Sequence, residues 1–307
     1  MASRPLRVFT AASAVARRVP YSVLRRSAEL TGAAVGPRAM KAKTRQLQRH
    51  LRRADPSMSP GAAERAARRG FGSYGRYWAE SFRLPTMSGK RIDRGFSVYG
   101  YDRVEASLAA GTGPILVLPH LGGWEWAAAW LGRTVGVEVA AVVERLEPDD
   151  VFEWFVELRS AYGIDVIPLG PDALPRLVKA VKDCKIVCLL SDRDLGGNGI
   201  EVDFFGETTT LPAGPALLAR RTGAPLLPTA VYFRDEGTVG WVDEAIEADE
   251  SLSLRADVRR MTQELARALE SLIRAAPEQW HLLEPNWPSD ATAGAAVDRA
   301  PRPTAEG

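Results

Sequence analysis

The sequence contains few of the residues that build disulfide or metal frameworks. Its 307 residues include two cysteines and three histidines. Cys184 and Cys188 lie in one apolar run, CKIVCLL, and His50, His120 and His281 are far apart in the chain. A disulfide scaffold and the usual zinc-binding spacings are therefore excluded. We expect a reducing compartment and a protein that binds no metal.

Several catalytic signatures are also missing. No serine stands in a G-x-S-x-G nucleophile elbow, and there is no H-E-x-x-H zinc motif. No G-x-G-x-x-G follows a strand to open a helix, and no Walker loop is present. These absences argue against α/β-hydrolase-type serine enzymes, zinc proteases, and enzymes that use dinucleotides or nucleoside triphosphates. What remains is a reaction that needs no bound cofactor.

Long apolar runs are missing as well. No stretch approaches the roughly 18 apolar residues of a membrane-spanning helix. The run VFTAASAVA, residues 8–16, is short for a signal peptide and is followed by two arginines. Apolar side chains recur in this region at helical spacing, at Val8, Ala12, Val15, Val19, Val23 and Leu24. They predict a basic amphipathic helix, interrupted near Pro20, that contacts a membrane. The alternative is a surface helix packed on the rest of the protein.

Positive charge is concentrated in the first third of the sequence. The net charge is +2, yet residues 1–95 contain 21 lysines and arginines against 5 acidic residues, and the remainder contains 19 against 33. A basic segment of this size predicts contact with a polyanion or with an anionic membrane surface. No nucleic-acid-binding motif accompanies the charge, so nucleic acid is not expected as a partner.

The pattern of the sequence changes near residue 96, from helical segments to alternating elements. From there, short apolar runs such as ILVLPH, VEVAAVVE and KIVCLLSD alternate with helical segments. Such alternation predicts an α/β fold with a largely parallel central sheet flanked by helices. We expect one domain over residues 1–290, with a helical, basic, membrane-facing part at 1–95 and an α/β catalytic core at 96–290. Residues 291–307, rich in alanine, proline and charge, are expected to be a disordered tail.

His120 lies directly after one of the apolar runs, in GPILVLPHLGGWEWAAAW. Parallel-sheet proteins hold their chemistry at the carboxyl ends of strands, and Gly122 and Gly123 leave room for the imidazole. Glu125 would lie in the first turn of the next helix and is predicted to reach and orient His120. The other ring nitrogen could then take a proton from a hydroxyl group. Alternatively, His120 is structural and Glu125 is favoured by the helix dipole.

Three ordered blocks of the sequence resemble a known family. PHLGGWEWAA resembles the H-x-x-x-x-(D/E) box of glycerolipid-type acyltransferases. Here the box ends in glutamate and a tryptophan precedes that glutamate, a form that is similar to the box of the lipid A biosynthesis acyltransferase family. SDRDLGGNGIEVDFFGETTTLPAGPALLARRTGAP and PEQWHLLEPNW resemble later segments of that family. The whole pattern, with its basic helical N-terminus, is closest to the actinobacterial branch, the phosphatidylinositol mannoside acyltransferases.

The resemblance implies a glycerolipid acyltransferase-like fold and the transfer of a fatty acyl group, expected to be palmitoyl, from acyl-CoA to a mannose hydroxyl of phosphatidylinositol mannoside. His120 would be the general base and Glu125 its orienting carboxylate. The hydroxyl oxygen would attack the thioester directly, so acyl-CoA is a co-substrate and no cofactor is implied. Because the acceptor lies in a bilayer, the resemblance also implies a peripheral protein on the cytoplasmic face of the inner (plasma) membrane.

Further site residues are proposed near the ends of predicted elements. Arg159 and Arg193 are candidates for binding phosphate of the donor or of the lipid headgroup, or for ion pairs with nearby acidic residues. Glu201, in a glycine-rich loop, could approach the sugar or the imidazole of His120, or could remain solvated. Four aromatic residues are candidates either for an acyl groove or for the core: Trp124, Trp126, Phe204 and Phe205.

Other interpretations of the same residues remain open. The acceptor could be another glycolipid, such as a lipid A precursor. The protein could instead be a non-catalytic lipid-binding protein in which His120 is structural, or a hydrolase that passes the acyl group from a thioester to water. Loss of turnover on substitution of His120 would separate an enzyme from a binding protein.

Overall fold

The structure is a computed structural model that describes residues 3–290. The predicted disordered tail, residues 291–307, lies outside the described residues. Helices α1–α5 are Arg4–Ala16, Tyr21–Ala39, Lys41–Ala54, Pro60–Arg83 and Gly89–Arg94. Helices α6–α11 are Tyr101–Ala109, Trp124–Trp130, Asp149–Ser160, Ala173–Lys182, Gly214–Thr222 and Leu254–Arg274. Strands β1–β9 are Phe96–Tyr99, Ile115–Leu118, Val139–Val143, Ile164–Pro168, Ile186–Leu190, Ile200–Phe204, Glu207–Leu211, Leu226–Arg234 and Gly237–Val242.

Seven of these strands form the central sheet, in the order β1-β9-β8-β2-β5-β3-β4, while β6 and β7 form a separate antiparallel hairpin. Neighbouring strands of the central sheet are parallel except for β8 and β9. The predicted fold class, an α/β fold with a largely parallel sheet flanked by helices, is confirmed. Strand β2 lies in the middle of this sheet, between β8 and β5.

Helices cover both faces of the central sheet. Along β2, Ile115 and Val117 join a core formed with α9, α10 and α11. Leu116 and Leu118 join a second core on the opposite face, formed with α1 and α4–α8. All four side chains are buried, because a strand covered on both sides has no polar face. The apolar run before His120 therefore shows no alternation of polar and apolar residues.

Helix α2 packs closely against α4. A Cβ atom added at Gly32 would lie 2.3 Å from the carbonyl oxygen of Phe71, and one at Gly75 would lie 2.5 Å from that of Ala28. Only glycine leaves room for two helix backbones at this separation. The opposite side of α2 remains uncovered and includes Leu30, whose exposed fraction is 71%.

Helix α1 is attached to the body of the protein at its start and along one side. The N–H and hydroxyl of Ser3 donate to the carboxylate of Asp150 at 2.7 and 2.9 Å. Phe9 packs against four aromatic side chains of α4 and α8: Trp78, Phe82, Trp154 and Phe155. The chain leaves the helix before Pro20, and α2 begins directly after it, which confirms the predicted interruption. Helix α1 is thus packed on the protein through one face, while its other face is exposed.

Candidate functional site

His120 lies at the carboxyl end of β2. The loop that follows requires glycine, because Gly122 has φ +58° and a Cβ there would lie 1.9 Å from the carbonyl oxygen of Val231. The N–H of Gly122 donates to the carbonyl of Gln279 (3.0 Å), and the N–H of His281 donates to the carbonyl of His120 (2.7 Å). The loop is therefore held from two sides, with 33% of the His120 side chain exposed.

The carboxylate beside His120 is that of Asp192, which follows β5. Nδ1 of His120 lies 2.5 Å from Oδ1 of Asp192, and the backbone N–H of His120 donates to Oδ2 at 3.1 Å. Strands β2 and β5 are neighbours and parallel, so their carboxyl ends bring the two side chains together. Because an ionised carboxylate only accepts hydrogen bonds, Nδ1 of His120 carries the hydrogen and Nε2 is the basic nitrogen.

Asp192 is held in place by groups from the end of the described chain. The indole N–H of Trp280 donates to Oδ2 of Asp192 (2.7 Å), and the Asn286 side-chain amide donates to its carbonyl oxygen (2.9 Å). Burial acts to raise the pKa of Asp192, but the facing His120 imidazole and the N–H donors of His120 and Trp280 outweigh burial and lower this pKa. Asp192 is therefore an ionised, oriented partner for His120.

The prediction that Glu125 orients His120 is wrong. Oε1 of Glu125 accepts a hydrogen bond from Nε of Arg159 at 2.8 Å, and both side chains are largely buried. The reason is geometric, since the first turn of α7 directs Glu125 toward α8, which contains Arg159. Within residues 3–290, the hydrogen bonds of the His120 imidazole are made to Asp192 alone.

Arg159 is part of an internal ion pair. Its guanidinium lies over the rings of Trp124 and Phe155, 5.7 and 5.5 Å from their centroids. Burial acts to lower the pKa of Arg159, but the adjacent Glu125 carboxylate outweighs burial and raises this pKa. The arginine is thus cationic and already paired, so the geometry favours the ion-pair alternative over the predicted phosphate-binding role. Its partner is Glu125, which is distant in sequence, and not one of the neighbouring acidic residues.

Arg193 and Glu201, both predicted to bind substrate, lie in different settings in the structure. Arg193 follows Asp192 and donates to Oε2 of Glu144 at 2.9 Å, which again is an ion pair. Glu201 was predicted in a glycine-rich loop, but it lies on β6, paired with Thr210 across the hairpin, and its side chain is exposed. The loop prediction is wrong because residues 200–211 alternate between buried and exposed positions around a tight turn.

The four aromatic residues predicted for an acyl groove do not line one groove. Trp124 and Trp126 are buried in the core on the side of α7 and α8. Phe204 and Phe205 are buried in the core on the other side of the sheet, beside Trp280. The central sheet separates the two pairs, so the core alternative describes them better than a common groove.

His281 and Ser73 are site residues that the spacing argument did not identify. Nε2 of His281 lies 2.8 Å from the hydroxyl oxygen of Ser73, in the middle of α4. Burial, and then the charge of the nearby His120, lower the pKa of His281 to about 3, so this imidazole is neutral. Its one sequence signal was its place in the block PEQWHLLEPNW, which also supplies Trp280.

A carboxylate–imidazole pair of this kind can act as a general base. Nε2 of His120 has no hydrogen-bond partner in the part of the chain that the structure describes, and the side chain is partly exposed. It can therefore receive a proton from a hydroxyl group that enters from outside. No group of three or more His, Cys, Asp or Glu side chains between residues 3 and 290 is placed to hold a metal ion.

Comparisons with known proteins agree with the resemblance seen in the motifs. Residues 7–289 match the model of the family described as bacterial lipid A biosynthesis acyltransferase. A phosphatidylinositol mannoside acyltransferase of Mycobacterium tuberculosis (strain CDC 1551 / Oshkosh) is 42% identical over 223 residues, which cover 71% of this chain and 69% of the relative. One of Mycolicibacterium smegmatis (strain ATCC 700084 / mc(2)155) is 37% identical over 248 residues, 80% of each chain. The predicted resemblance is confirmed, and the chain belongs to the bacterial lipid A biosynthesis acyltransferase family.

Proposed function

We propose that the protein transfers a fatty acyl group, expected to be palmitoyl, from acyl-CoA to a mannose hydroxyl of a phosphatidylinositol mannoside. The observation that carries this proposal is the buried, ionised Asp192 at 2.5 Å from the partly exposed His120. The family membership supplies the reaction class, and the names of the relatives supply the acceptor class. No bound cofactor enters the proposal.

In the proposed reaction the chain acts through one base. The acceptor hydroxyl gives its proton to Nε2 of His120 while its oxygen bonds to the thioester carbonyl carbon. The carbonyl electron pair moves onto the carbonyl oxygen during this addition. When the pair returns to form the carbonyl again, the carbon–sulfur bond breaks and the CoA thiolate takes the proton from the His120 imidazolium. Asp192 stabilises this imidazolium while it exists. The products are an ester and free CoA thiol, and His120 returns to its starting state.

The second candidate acceptor is a lipid A precursor, because the family description names lipid A biosynthesis. Phosphatidylinositol mannoside is favoured since relatives at 37–42% identity are named for it. A non-catalytic lipid-binding role would not require a buried carboxylate aimed at a partly exposed imidazole, so the His120–Asp192 pair argues against it.

The proposal is tested by giving purified protein palmitoyl-CoA together with mono- or dimannosylated phosphatidylinositol, with a lipid A precursor in a parallel reaction. We expect the mannosides to gain the mass of one acyl group, with one equivalent of free thiol released, and the lipid A precursor to remain unchanged. Mass spectrometry of the lipid and a thiol assay measure the two products.

Each other result of this assay points to a different protein. Acylation of the lipid A precursor alone would replace the acceptor. Release of thiol with no acylated lipid, even with added detergent-dispersed acceptor, would indicate a thioester hydrolase. If neither the acylated lipid nor the free thiol formed, acyl-CoA would be ruled out as the donor. An acylated carrier protein would then be supplied as the alternative donor.

We also propose that the N-terminal helices bind the anionic cytoplasmic surface of the plasma membrane. Five exposed apolar side chains on α1 and α2 form what we term the N-terminal apolar row: Val8, Val15, Val23, Leu30 and Val35. Exposed arginines of the same region include Arg18, between the two helices, and Arg26 and Arg38 on α2. Each basic residue near such a surface contributes about 1 kcal/mol. Within residues 3–290, no helix is long and apolar enough to cross a bilayer.

The membrane contact is tested with Leu30→Asp, because Leu30 is the most exposed residue of the N-terminal apolar row, at 71%. We expect binding to vesicles with anionic lipid to weaken about tenfold or more, since burying a leucine contributes roughly 1.5–3 kcal/mol, and high salt to release the wild type. Leu254→Asp is the matched control, because Leu254 is 47% exposed at the start of α11. Equal losses in both variants, or equal binding to neutral vesicles at high salt, would contradict the proposed surface.

A further inference from the structure

We infer that His281 is a second catalytic residue, whose neutral imidazole donates a hydrogen bond from Nδ1 to the carbonyl oxygen of the acyl donor as that oxygen becomes negatively charged. The inference rests on the proposed acyl-transfer reaction and identifies a group that stabilises its transition state. In that step Asp192 and His120 act on the proton of the acceptor, whereas His281 acts on the carbonyl oxygen of the donor.

His281 is hydrogen-bonded through its backbone to the residue that carries the base. Its backbone N–H donates to the carbonyl of His120 at 2.7 Å, and the two imidazoles are close enough for the charge of one to alter the titration of the other. The His281 ring packs against both Tyr74 and Tyr77 of α4, with centroid distances of 5.5 and 5.6 Å. These contacts restrain the His281 ring next to the loop that contains His120.

The hydrogen bond with Ser73 determines which ring nitrogen of His281 carries hydrogen. A serine inside a helix commonly donates to the carbonyl oxygen four residues earlier. In the described part of the chain Ser73 makes no such bond, and the partner of its hydroxyl is Nε2 of His281 at 2.8 Å. Because Nε2 is the one acceptor available to this hydroxyl there, we assign the hydroxyl as the donor, which leaves the single ring hydrogen of His281 on Nδ1.

The protonation state of His281 completes the argument. Burial and the charge of His120 keep the pKa of this imidazole near 3, so it does not compete with His120 for the acceptor proton. Between residues 3 and 290 nothing accepts a hydrogen bond from Nδ1 of His281. An N–H group without an acceptor in a packed site is a preorganised donor for charge that develops during a reaction.

In the addition step, the acceptor oxygen bonds to the carbonyl carbon, its proton moves to Nε2 of His120, and the carbonyl electron pair moves onto the carbonyl oxygen. That oxyanion accepts the hydrogen bond from Nδ1 of His281, which keeps its proton throughout. When the electron pair returns, the carbon–sulfur bond breaks and the thiolate leaves with the proton that His120 held.

The inference is tested by comparing His281→Asn with His281→Gln. An asparagine amide places an N–H donor near the position of Nδ1, whereas a glutamine amide reaches the position of Nε2 and keeps the bond with Ser73. We expect His281→Gln to lower kcat by about 10²–10³-fold, the usual cost of removing one oxyanion donor. We expect His281→Asn to retain turnover within about tenfold of the wild type, with KM for the thioester little changed in both variants.

The opposite order would overturn the inference. If His281→Gln kept wild-type turnover and His281→Asn lost it, the role of His281 would be to hold Ser73 and α4. Equal losses in two variants with native circular dichroism would also remove the donor role, and Ser73→Ala measures the Ser73 contact alone. The wild-type enzyme is measured in the same assay. If the wild type forms no acylated lipid, the proposed function fails; if it does, the turnover of the His281 variants relative to the wild type tests the donor role alone.

Discussion

Replacing His120 with alanine is expected to lower kcat for acyl transfer by about 10²–10⁴-fold, the range typical of losing a general base. The KM values for thioester and acceptor are expected to change little, because the imidazole acts on a proton and not on the lipid or the CoA. The residue is 33% exposed and forms its side-chain hydrogen bonds with Asp192, so its removal leaves the surrounding core in place. Steady-state kinetics on the acylated lipid, with circular dichroism as a folding check, measure the effect.

A matched experiment separates loss of the base from loss of structure. His120→Gly leaves a space that opens to solvent, and imidazole added to the assay is expected to restore part of the turnover in that variant but not in the wild type. The rate gained should depend on the concentration of unprotonated imidazole. Turnover near that of the wild type in His120→Ala would contradict the proposed mechanism and favour the lipid-binding alternative.

Replacing Asp192 with asparagine is expected to lower kcat by up to about 10⁴-fold, as loss of the orienting carboxylate does in other imidazole-based enzymes. Oδ2 of Asp192 receives two N–H donors, from His120 and Trp280, so the asparagine oxygen is expected to occupy that position. Its amide NH₂ would then face Nδ1 of His120. The imidazole would have to move its hydrogen to Nε2, and the nitrogen that faces the acceptor would no longer be a base. Single-turnover rates on folded protein measure this effect.

Glu125→Gln is the control for this prediction, since it also neutralises a buried carboxylate near the site. Glu125 pairs with Arg159 at 2.8 Å, and losing one partner of a buried ion pair commonly costs about 3–5 kcal/mol of stability. We therefore expect a lower midpoint of thermal unfolding, with most of the turnover retained by the fraction that stays folded. If Glu125→Gln lowered the rate of folded enzyme more than Asp192→Asn, the assignment of the orienting carboxylate would be wrong.

The fold could be predicted from the sequence because its elements have local signals. The run that ends at Leu118 was identified as a strand because it is apolar throughout, and His120 was placed at its carboxyl end. The β6–β7 hairpin was missed, because the residues around Glu201 contain glycines and its second strand, ETTTL, is mostly polar. Only its pairing and its packing on the core make this segment a hairpin.

The candidate site was less predictable, because it depends on which strands become neighbours. Asp192 is 72 residues from His120, and nothing local indicates that β5 lies beside β2. The spacing argument chose Glu125 because it was the nearest carboxylate in the chain, although its side chain points to a different helix. For the same reason Phe204 was assigned to a groove with Trp124, since the sequence does not tell which face of the sheet a hairpin covers.

The site is completed only late in synthesis, because Trp280, His281 and Asn286 lie near the end of the described residues. His120 leaves the ribosome long before Trp280 and His281, and Asn286 follows later still. Until those residues have been translated and have folded back onto β2, Asp192 lacks its indole donor and the His120 loop lacks its hydrogen bond from His281. Nascent chains that stall before this point therefore carry the motif histidine without a complete centre, and they should not consume acyl thioesters.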